Sequence, residues 1–400
     1  MSFKLFACGD ITNFTTKQDF VDSKLTQIIQ NSDIAICNFE APIIHKDMKP
    51  IKKAGPHVYQ SKESVQYLKD VGFNFVSLAN NHIYDYGQKG IFDTIQELKK
   101  FDLEFIGGGV DFEEAYKTTI IEKNGIKIGL LAGCENEFGC LYEEQNRGGY
   151  AWLFHHRLED NIRDLKAKCD FVVFIAHAGV EDIEMPIKEW RDRYKRLCDI
   201  GVDVIINHHP HVPQGYEKYN NSLIFYSLGN FYFDTVSFKD KSDDSYSVVL
   251  EFEKNKDVEF EIIYHKKIAG QTCLVDKNDV SFDLKYLCDI LSDGYLKRNN
   301  EISTELFNKY YYSYYESALG VMSKGSFVNK FKWIIKKFLF PKRGIEGRNL
   351  MLLHNIRIDS HRFLVQRALD LSLFHSLPNL GMQIDNQHIE KNCRSKIDEL

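Results

Sequence analysis

Along roughly the first two-thirds of the chain, short apolar runs alternate with segments whose apolar residues recur at three- and four-residue spacing. That alternation is the signature of strands and amphipathic helices in an α/β protein. Strands are predicted at 3–8, 34–37, 75–78, 104–106, 171–176, 204–206 and 223–226. Helices are predicted between them at 20–30, 62–71, 88–100, 158–168 and 187–200, with Ser61 placed to cap the second. Residues 118–132 read instead as two strands joined by Asn124-Gly125, a dipeptide suited to tight hairpin turns. Residues 245–252 and 258–264 look like further antiparallel strands, so the sheets are expected to be mixed. After about Ala269 the pattern turns to long helical stretches rich in Tyr, Lys and Asn. The expected architecture is an α/β sandwich of mixed sheets flanked by helices over 1–268, followed by a helical extension over 269–400.

Composition narrows the class. A chain of 400 residues with 44% hydrophobic and 27% charged side chains can bury a large core and is neither disordered nor fibrous. A net charge of −6 gives no global reason to expect a nucleic acid partner. The cysteines are odd in number, scattered and without CxxC spacing, which reads as reduced thiols rather than a disulfide framework or zinc site. The first ten residues lack the apolar stretch of a signal peptide, and no apolar run reaches the ~18 residues of a membrane span. A cytoplasmic protein is expected. Residues 326–343 form a basic stretch interleaved with Phe, Trp, Ile and Leu. It reads as a solvated or packed helix, as a contact with the anionic inner face of a membrane, or, last in order, as a nucleic acid contact.

The chemistry lies in position. Five predicted strands run directly into clusters of metal-ligand side chains: Gly9-Asp10, Asn38-Phe39-Glu40, Asn80-Asn81-His82, His177, and His208-His209-Pro210-His211. The carboxyl ends of parallel strands share one edge of an open α/β sheet, so residues distant in sequence converge there. Carboxylate, amide oxygen and imidazole together suit Mn, Fe or Zn better than calcium. Two ions would fit Asp10, Glu40, Asn81, His177, His209 and His211, with a carboxylate as bridge and open positions for reaction.

The same residues resemble the CapA family of capsule and poly-γ-glutamate synthesis, a branch of the calcineurin-like metallophosphatase fold. The resemblance runs through Gly9-Asp10, Asn38-Phe39-Glu40, Leu78-Ala79-Asn80-Asn81-His82 with Asp85-Tyr86-Gly87, and Ala176-His177-Ala178-Gly179-Val180-Glu181. It continues through His208-His209-Pro210-His211-Val212-Pro213-Gln214-Gly215 and Tyr226-Ser227-Leu228-Gly229-Asn230-Phe231. It implies one ion on Asp10 and His211, another on Asn81, His177 and His209, and Glu40 bridging. It further implies that His82 stabilises the transferring group or protonates its leaving oxygen, and that Glu181 orients His177 or meets substrate. Two positions depart from the pattern: Thr12 stands where phosphoesterases generally have a ligand histidine, and Ala178 where the family commonly has Trp.

Plainer readings apply elsewhere. His45, His57, His155, His156, His354, His361, His375 and His388 are isolated and are read as surface or core residues. Gly107-Gly108-Gly109 lacks the Lys-Ser/Thr of a nucleotide loop. Asp10, Glu40 or Asn81 alone would read as helix caps or turns, and only their ordered set argues otherwise. The expected function is metal-dependent hydrolysis or transfer at a phosphoester or related linkage in surface-polymer synthesis. The alternatives are amide-bond hydrolysis or transpeptidation on polyglutamate, and a non-catalytic assembly factor that holds a glycan or polyglutamate chain.

Overall fold

The computed structural model describes residues 2–143, 145–235, 243–319 and 345–374. Among these the chain divides into two compact units, one comprising residues up to 51 together with 57–294, the other 52–56 together with the described residues from 295 onward. The basic stretch 326–343, Cys393, His375 and His388 lie outside the described residues.

The first unit is a mixed α/β structure built on two large sheets. The larger has eight strands: β1 (Phe3–Thr12), β2 (Ile34–Phe39), β3 (Phe75–Ser77), β4 (Glu104–Ile106), β14 (Asn230–Phe233), β15 (Ser245–Phe252), β16 (Glu259–Ile268) and β17 (Gln271–Leu274). They lie in the order β17-β16-β15-β1-β2-β3-β4, with β14 also paired to β1. The run from β1 to β4 is parallel because α1 (Ser23–Gln30), α2 (Glu63–Val71) and α3 (Gly87–Lys100) return the chain between successive strands. The second sheet orders β12 (Tyr216–Tyr219), β13 (Ser222–Phe225), β11 (Val204–His208), β10 (Phe171–His177), β7 (Ile126–Cys134) and β6 (Thr119–Lys123). Its inner strands β7, β10, β11 and β13 are parallel, with α5 (His156–Lys168) and α6 (Lys188–Asp199) as crossovers. A third small sheet, β5 (Gly108–Gly109), β9 (Gly149–Ala151) and β8 (Cys140–Leu141), follows the edge of the first, and the short helix α4 (Phe112–Ala115) leads away from it.

β1 is buried on both faces, with Phe3, Leu5, Phe6, Ala7 and Cys8 all in the core, which is why it reads as a continuous apolar run rather than an alternation. Phe171 of one sheet packs on Phe252 of the other at 5.1 Å between ring centroids. The two sheets are thus faces of one sandwich. Asn124 and Gly125 sit at φ 55° and 76°, the left-handed pair that closes a two-residue hairpin. Every cysteine among the described residues is a free thiol.

Some expected details differ. Ser61 does not cap α2: Lys62 holds the cap position without a side-chain bond, and the Ser61 hydroxyl meets that of Ser64 at 3.0 Å. α1 begins at Ser23 because the Asp22 carboxylate accepts from the Leu25 N–H, and Val21 instead bridges to Thr272. The first unit continues to Gly294, whereas the expected boundary fell at 268/269. Ala269 and Gly270, at φ 49° and 80°, turn the chain back so that β17 pairs with β16, and helix α7 (Leu284–Asp289) follows in the same unit. Four residues are too few for alternation to mark β17 as a strand.

The second unit is helical, with α8 (Tyr295–Leu306), a π-helical turn over Phe307–Tyr311, α9 (Tyr312–Leu319), α10 (Ile345–Arg357) and α11 (Asp359–Phe374). Ile302, Tyr311, Leu364 and Ala368 are buried within it, and Tyr311 meets the His361 ring at 4.9 Å. Among the described residues no helix is long and apolar enough to cross a membrane.

One buried base sets an acid limit on the first unit. His265 of β16 is fully buried against Phe231, and neither ring nitrogen makes a well-formed hydrogen bond. Burial holds its imidazole down at about 3, against 6.5 in an unfolded chain. The folded state therefore excludes a proton that the unfolded state takes up below 6.5, and stability falls as pH drops toward 3 by up to about 1.4 kcal/mol per pH unit. Urea melts at pH 7 and pH 4.5 should show His265→Leu losing less stability than the parent chain over that interval. Equal losses would mean that another group sets the acid limit.

Candidate metal centre

The strand-end clusters meet at one edge of the first unit. Asp10 lies near the carboxyl end of β1, Glu40 just past β2, Asn81 beyond β3, His177 at the end of β10, and His209 and His211 just past β11. All are buried, Asp10 and Glu40 completely. One ligand atom each from Asp10, Glu40 and His177 lie within 4.8 Å of one another. Around them two groups of contacts form. His211 Nδ1 stands 3.4 Å from Asp10 Oδ2, and its Nε2 stands 3.7 Å from Glu40 Oε1. His177 Nε2 stands 3.1 Å from both Asn81 Oδ1 and His209 Nδ1.

The local backbone is bent to make this convergence. Gly229, the residue before β14, lies so close to Gly9 that a Cβ there would be 1.8 Å from its carbonyl oxygen, while the Asp10 N–H donates to that same oxygen at 3.1 Å. Only glycine fits. The register of β1 shifts on both sides of Asp10, an irregularity that re-aims a side chain. His209 and His211 occupy φ 98° and 58°, a left-handed region costing ordinary residues about 1–3 kcal/mol and found chiefly at functional sites. The 226–230 segment carries the chain from the second sheet into the first, bringing Asn230 Oδ1 to 2.9 Å from His211 Nδ1.

The electrostatics show what the cluster lacks. Burial, and then the Asp10 charge, pushes the Glu40 carboxyl well above the usual carboxylate range. Its Oε1 is buried with no hydrogen-bond partner. Burial also works against an ionised Asp10, but the His211 hydrogen bond and the His208 charge hold it below its ordinary value. His211 is likewise disfavoured as a cation by burial, yet Glu40 and Asp10 raise it to about 10. Burial and the neighbouring His209 charge depress His177, and burial takes His209 down to about 4. An orphaned buried carboxylate oxygen, two imidazoles held neutral at His177 and His209, and a third at His211 that carries a proton only through the adjacent carboxylates make a donor set that a divalent cation satisfies. The residues fit a metal.

His82 and Glu181 flank this cluster. His82 Nδ1 lies 2.7 Å from Asp85 Oδ2, and that buried carboxylate also accepts the Val58 N–H at 2.8 Å. Glu181 is exposed, and its charge acts on Glu40, His209 and His211 in addition to the larger effect of burial on each. Thr12, at the position where phosphoesterases have a ligand histidine, donates from Oγ1 to the Glu40 carbonyl at 2.9 Å. His208 turns away: its ring nitrogens lie 3.0 Å from the Ala176 and Cys8 carbonyl oxygens, fastening one sheet to the other.

Other residues support the cluster, of which Glu135 and Glu137 belong to none of the strand-end motifs read from sequence. Asn38 donates from Nδ2 to Asp10 Oδ1 at 2.7 Å and receives Asn80 Nδ2 at 3.2 Å. Glu137 Oε1 accepts from Asn81 Nδ2 at 3.0 Å, which turns the amide oxygen of Asn81 toward His177. Glu135 Oε1 accepts the Gly179 N–H at 2.9 Å and lies 3.8 Å from His209 Nε2. The signal was present, since Glu135 and Glu137 directly follow β7. The hairpin pattern accounts for only one edge of that strand; its other edge pairs parallel with β10, so its end falls on the same edge as His177.

Fold and site together define a mixed α/β protein with a buried carboxylate, amide and imidazole cluster at the carboxyl ends of its parallel strands. The chain belongs to the bacterial capsule synthesis protein PGA_cap family, which matches residues 4–235. It is 34% identical over 223 residues to the capsule biosynthesis protein CapA of Bacillus anthracis, covering 54% of each chain. Over 260 residues it is 34% identical to the PGA biosynthesis protein CapA of Bacillus subtilis, covering 64% of this chain and 67% of that one. The chain thus spans about half the length of the first relative and two-thirds of the second. Among solved structures it is similar to a novel phosphatase from Mycoplasma pneumoniae, at TM-score 0.41 and 16% identity over 72% of this chain and 99% of that one. That likeness is loose, and nothing further follows from it.

The Glu137 contact generates a test. Outer-shell partners that orient ligands are commonly worth about 10–100-fold in metal affinity. Glu137→Met keeps the bulk but removes the acceptor, so titration calorimetry with Mn or Zn should show affinity reduced within that range. Unchanged affinity would mean that Asn81 needs no such hold.

Proposed function

We propose that this protein is a metal-dependent hydrolase or transferase acting at a phosphoester or related linkage, in the synthesis or remodelling of a bacterial surface polymer. The observation that carries this reading is the buried convergence of Asp10, Glu40 and His177 around an unpartnered Glu40 oxygen. In this reading Asp10 and His211 hold one divalent ion, Asn81, His177 and His209 hold a second, and Glu40 serves both. When bound, the ions, taken as Mn, Fe or Zn, supply Lewis acidity and neutralise charge developing on the substrate.

The chain's own groups do the remaining work. Asp85 accepts from His82 Nδ1, so Nε2 is the nitrogen left to exchange a proton with the departing oxygen. Burial of the ligand set excludes bulk water and strengthens every charge interaction there. Glu181, exposed and acting by its charge on His209 and His211, is the group taken to meet substrate.

A second reading, amide-bond chemistry on polyglutamate, is favoured by the names of the Bacillus relatives, one of them a PGA biosynthesis protein. A non-catalytic assembly factor would have little use for the buried donor set. A cytoplasmic station against the anionic inner membrane face, through 326–343, completes the proposal.

Two substitutions separate the roles. His82→Ala should keep its metal but lose about 10²–10⁴-fold in turnover on aryl phosphate mono- and diesters, while Glu40→Ala should fail to retain metal. Elemental analysis and turnover on the same preparations read both. Near-normal turnover in His82→Ala would remove that residue from the chemistry, and full metal retention in Glu40→Ala would remove the bridge.

A further inference from the structure

A connected strip of aromatic rings borders this site. Phe14 and Tyr59 lie with ring centroids 4.0 Å apart at 34°. Tyr59 meets Tyr86 edge to face at 6.1 Å, and Tyr86 meets His57 at 6.5 Å. All four rings are half-buried, with part of each open to solvent. The strip is tied to the proposed acid. Tyr86 follows Asp85, which holds His82, and Tyr59 follows Val58, whose N–H donates to the same Asp85 carboxylate at 2.8 Å. Phe14 lies two residues beyond β1, the strand that carries Asp10.

We infer that this strip is a subsite for a neutral glycan, whose sugar rings lie across Tyr59 and Phe14 while the linkage to be cleaved or transferred reaches His82. The inference rests on the hydrolase or transferase reading and names the substrate class for it. Half-open aromatic faces offer apolar area to the C–H faces of sugar rings, and the phenol and imidazole groups offer hydrogen bonds to their hydroxyls. These rings already pack on one another, so little conformational freedom is lost when a ligand binds. Phe14 and Tyr59 close upon each other at 4.0 Å, leaving no slot between them to clamp a flat base. They present a continuous surface instead. The adjoining site is rich in carboxylates, with Asp10, Glu40, Asp85, Glu135 and Glu137 buried and Glu181 exposed. The exposed Glu181, outside the ion-holding cluster, opposes a polyanionic chain, and a strip of Phe14, His57, Tyr59 and Tyr86 brings no Lys or Arg to attract one, so an uncharged chain is the better fit.

The test is binding to the full chain, followed by calorimetry and by the NMR shifts of its aromatic side chains. The probes are tetramers of β-1,4-linked N-acetylglucosamine, β-1,4-linked glucose and α-1,4-linked glucose, with a γ-glutamyl oligopeptide and uridine monophosphate alongside. At least one tetrasaccharide should bind and shift Tyr and Phe ring signals, and Tyr59→Leu and Phe14→Leu should each weaken it about tenfold. Tyr286→Leu, at an exposed ring on α7, should bind as the parent does. Melting curves show whether each variant is folded, and where one is not, the ring-signal shifts of the parent chain decide. The inference is overturned if no tetrasaccharide binds, if binding ignores both substitutions, or if the γ-glutamyl peptide or the nucleotide is the probe that depends on Tyr59. Binding needs no turnover, so parent activity on aryl phosphates reports separately on the hydrolase reading.

Discussion

Two carboxylates buried side by side, Asp10 and Glu40, are the constraint on which the rest of the site depends. Two like charges out of water repel each other and lose their hydration, and protein groups alone offset this only in part. Asp10 takes the available compensation: the Asn38 amide, the His211 imidazole and a distant approach of the His209 N–H at 3.4 Å. Glu40 is left with a protonated tendency and an oxygen that no protein donor reaches. The cluster is therefore organised for a partner carrying positive charge.

Much of the surrounding architecture follows from keeping that arrangement in place. β1 exchanges neighbours along its length, antiparallel to β15 at its start and parallel to β14 near Asp10, and the change of partner is possible only because Gly9 lets the Gly229 carbonyl approach. The chain around His209 and His211 holds left-handed conformations that open loops rarely sustain. They persist because β11, the 226–230 crossover and His208 anchor that stretch to both sheets. The proposed function rests on this edge, with His82, Glu181 and the aromatic strip as the groups proposed to face incoming substrate.

The convergence of Asp10, Glu40, Asn81, His177, His209 and His211 was legible because each lies at or just past the end of a strand whose apolar run is unmistakable, and a parallel sheet brings such ends together. The capsule-synthesis resemblance drew on the same residues, and the family match covers them. What remained hidden depended on geometry that spacing does not record. Glu135 and Glu137 were obscured because one strand serves two partners, antiparallel β6 and parallel β10. β17 was missed since four residues after a tight turn leave no periodicity to read, and Ser61 was misread as a cap because a local side-chain bond to Ser64 competes for its hydroxyl. The aromatic strip gathers Phe14, His57, Tyr59 and Tyr86 from three loops, and no sequence interval links them.

If the buried cluster holds two ions between the proposed side chains, anomalous scattering from crystals grown with Mn or Zn, alongside elemental analysis of the same protein, will locate and count them. The account requires close to two ions per chain, one beside Asp10, Glu40 and His211 and the other beside Glu40, Asn81, His177 and His209. Less than about half an ion per chain after reconstitution with several metals, or ions seated away from Glu40, would contradict it.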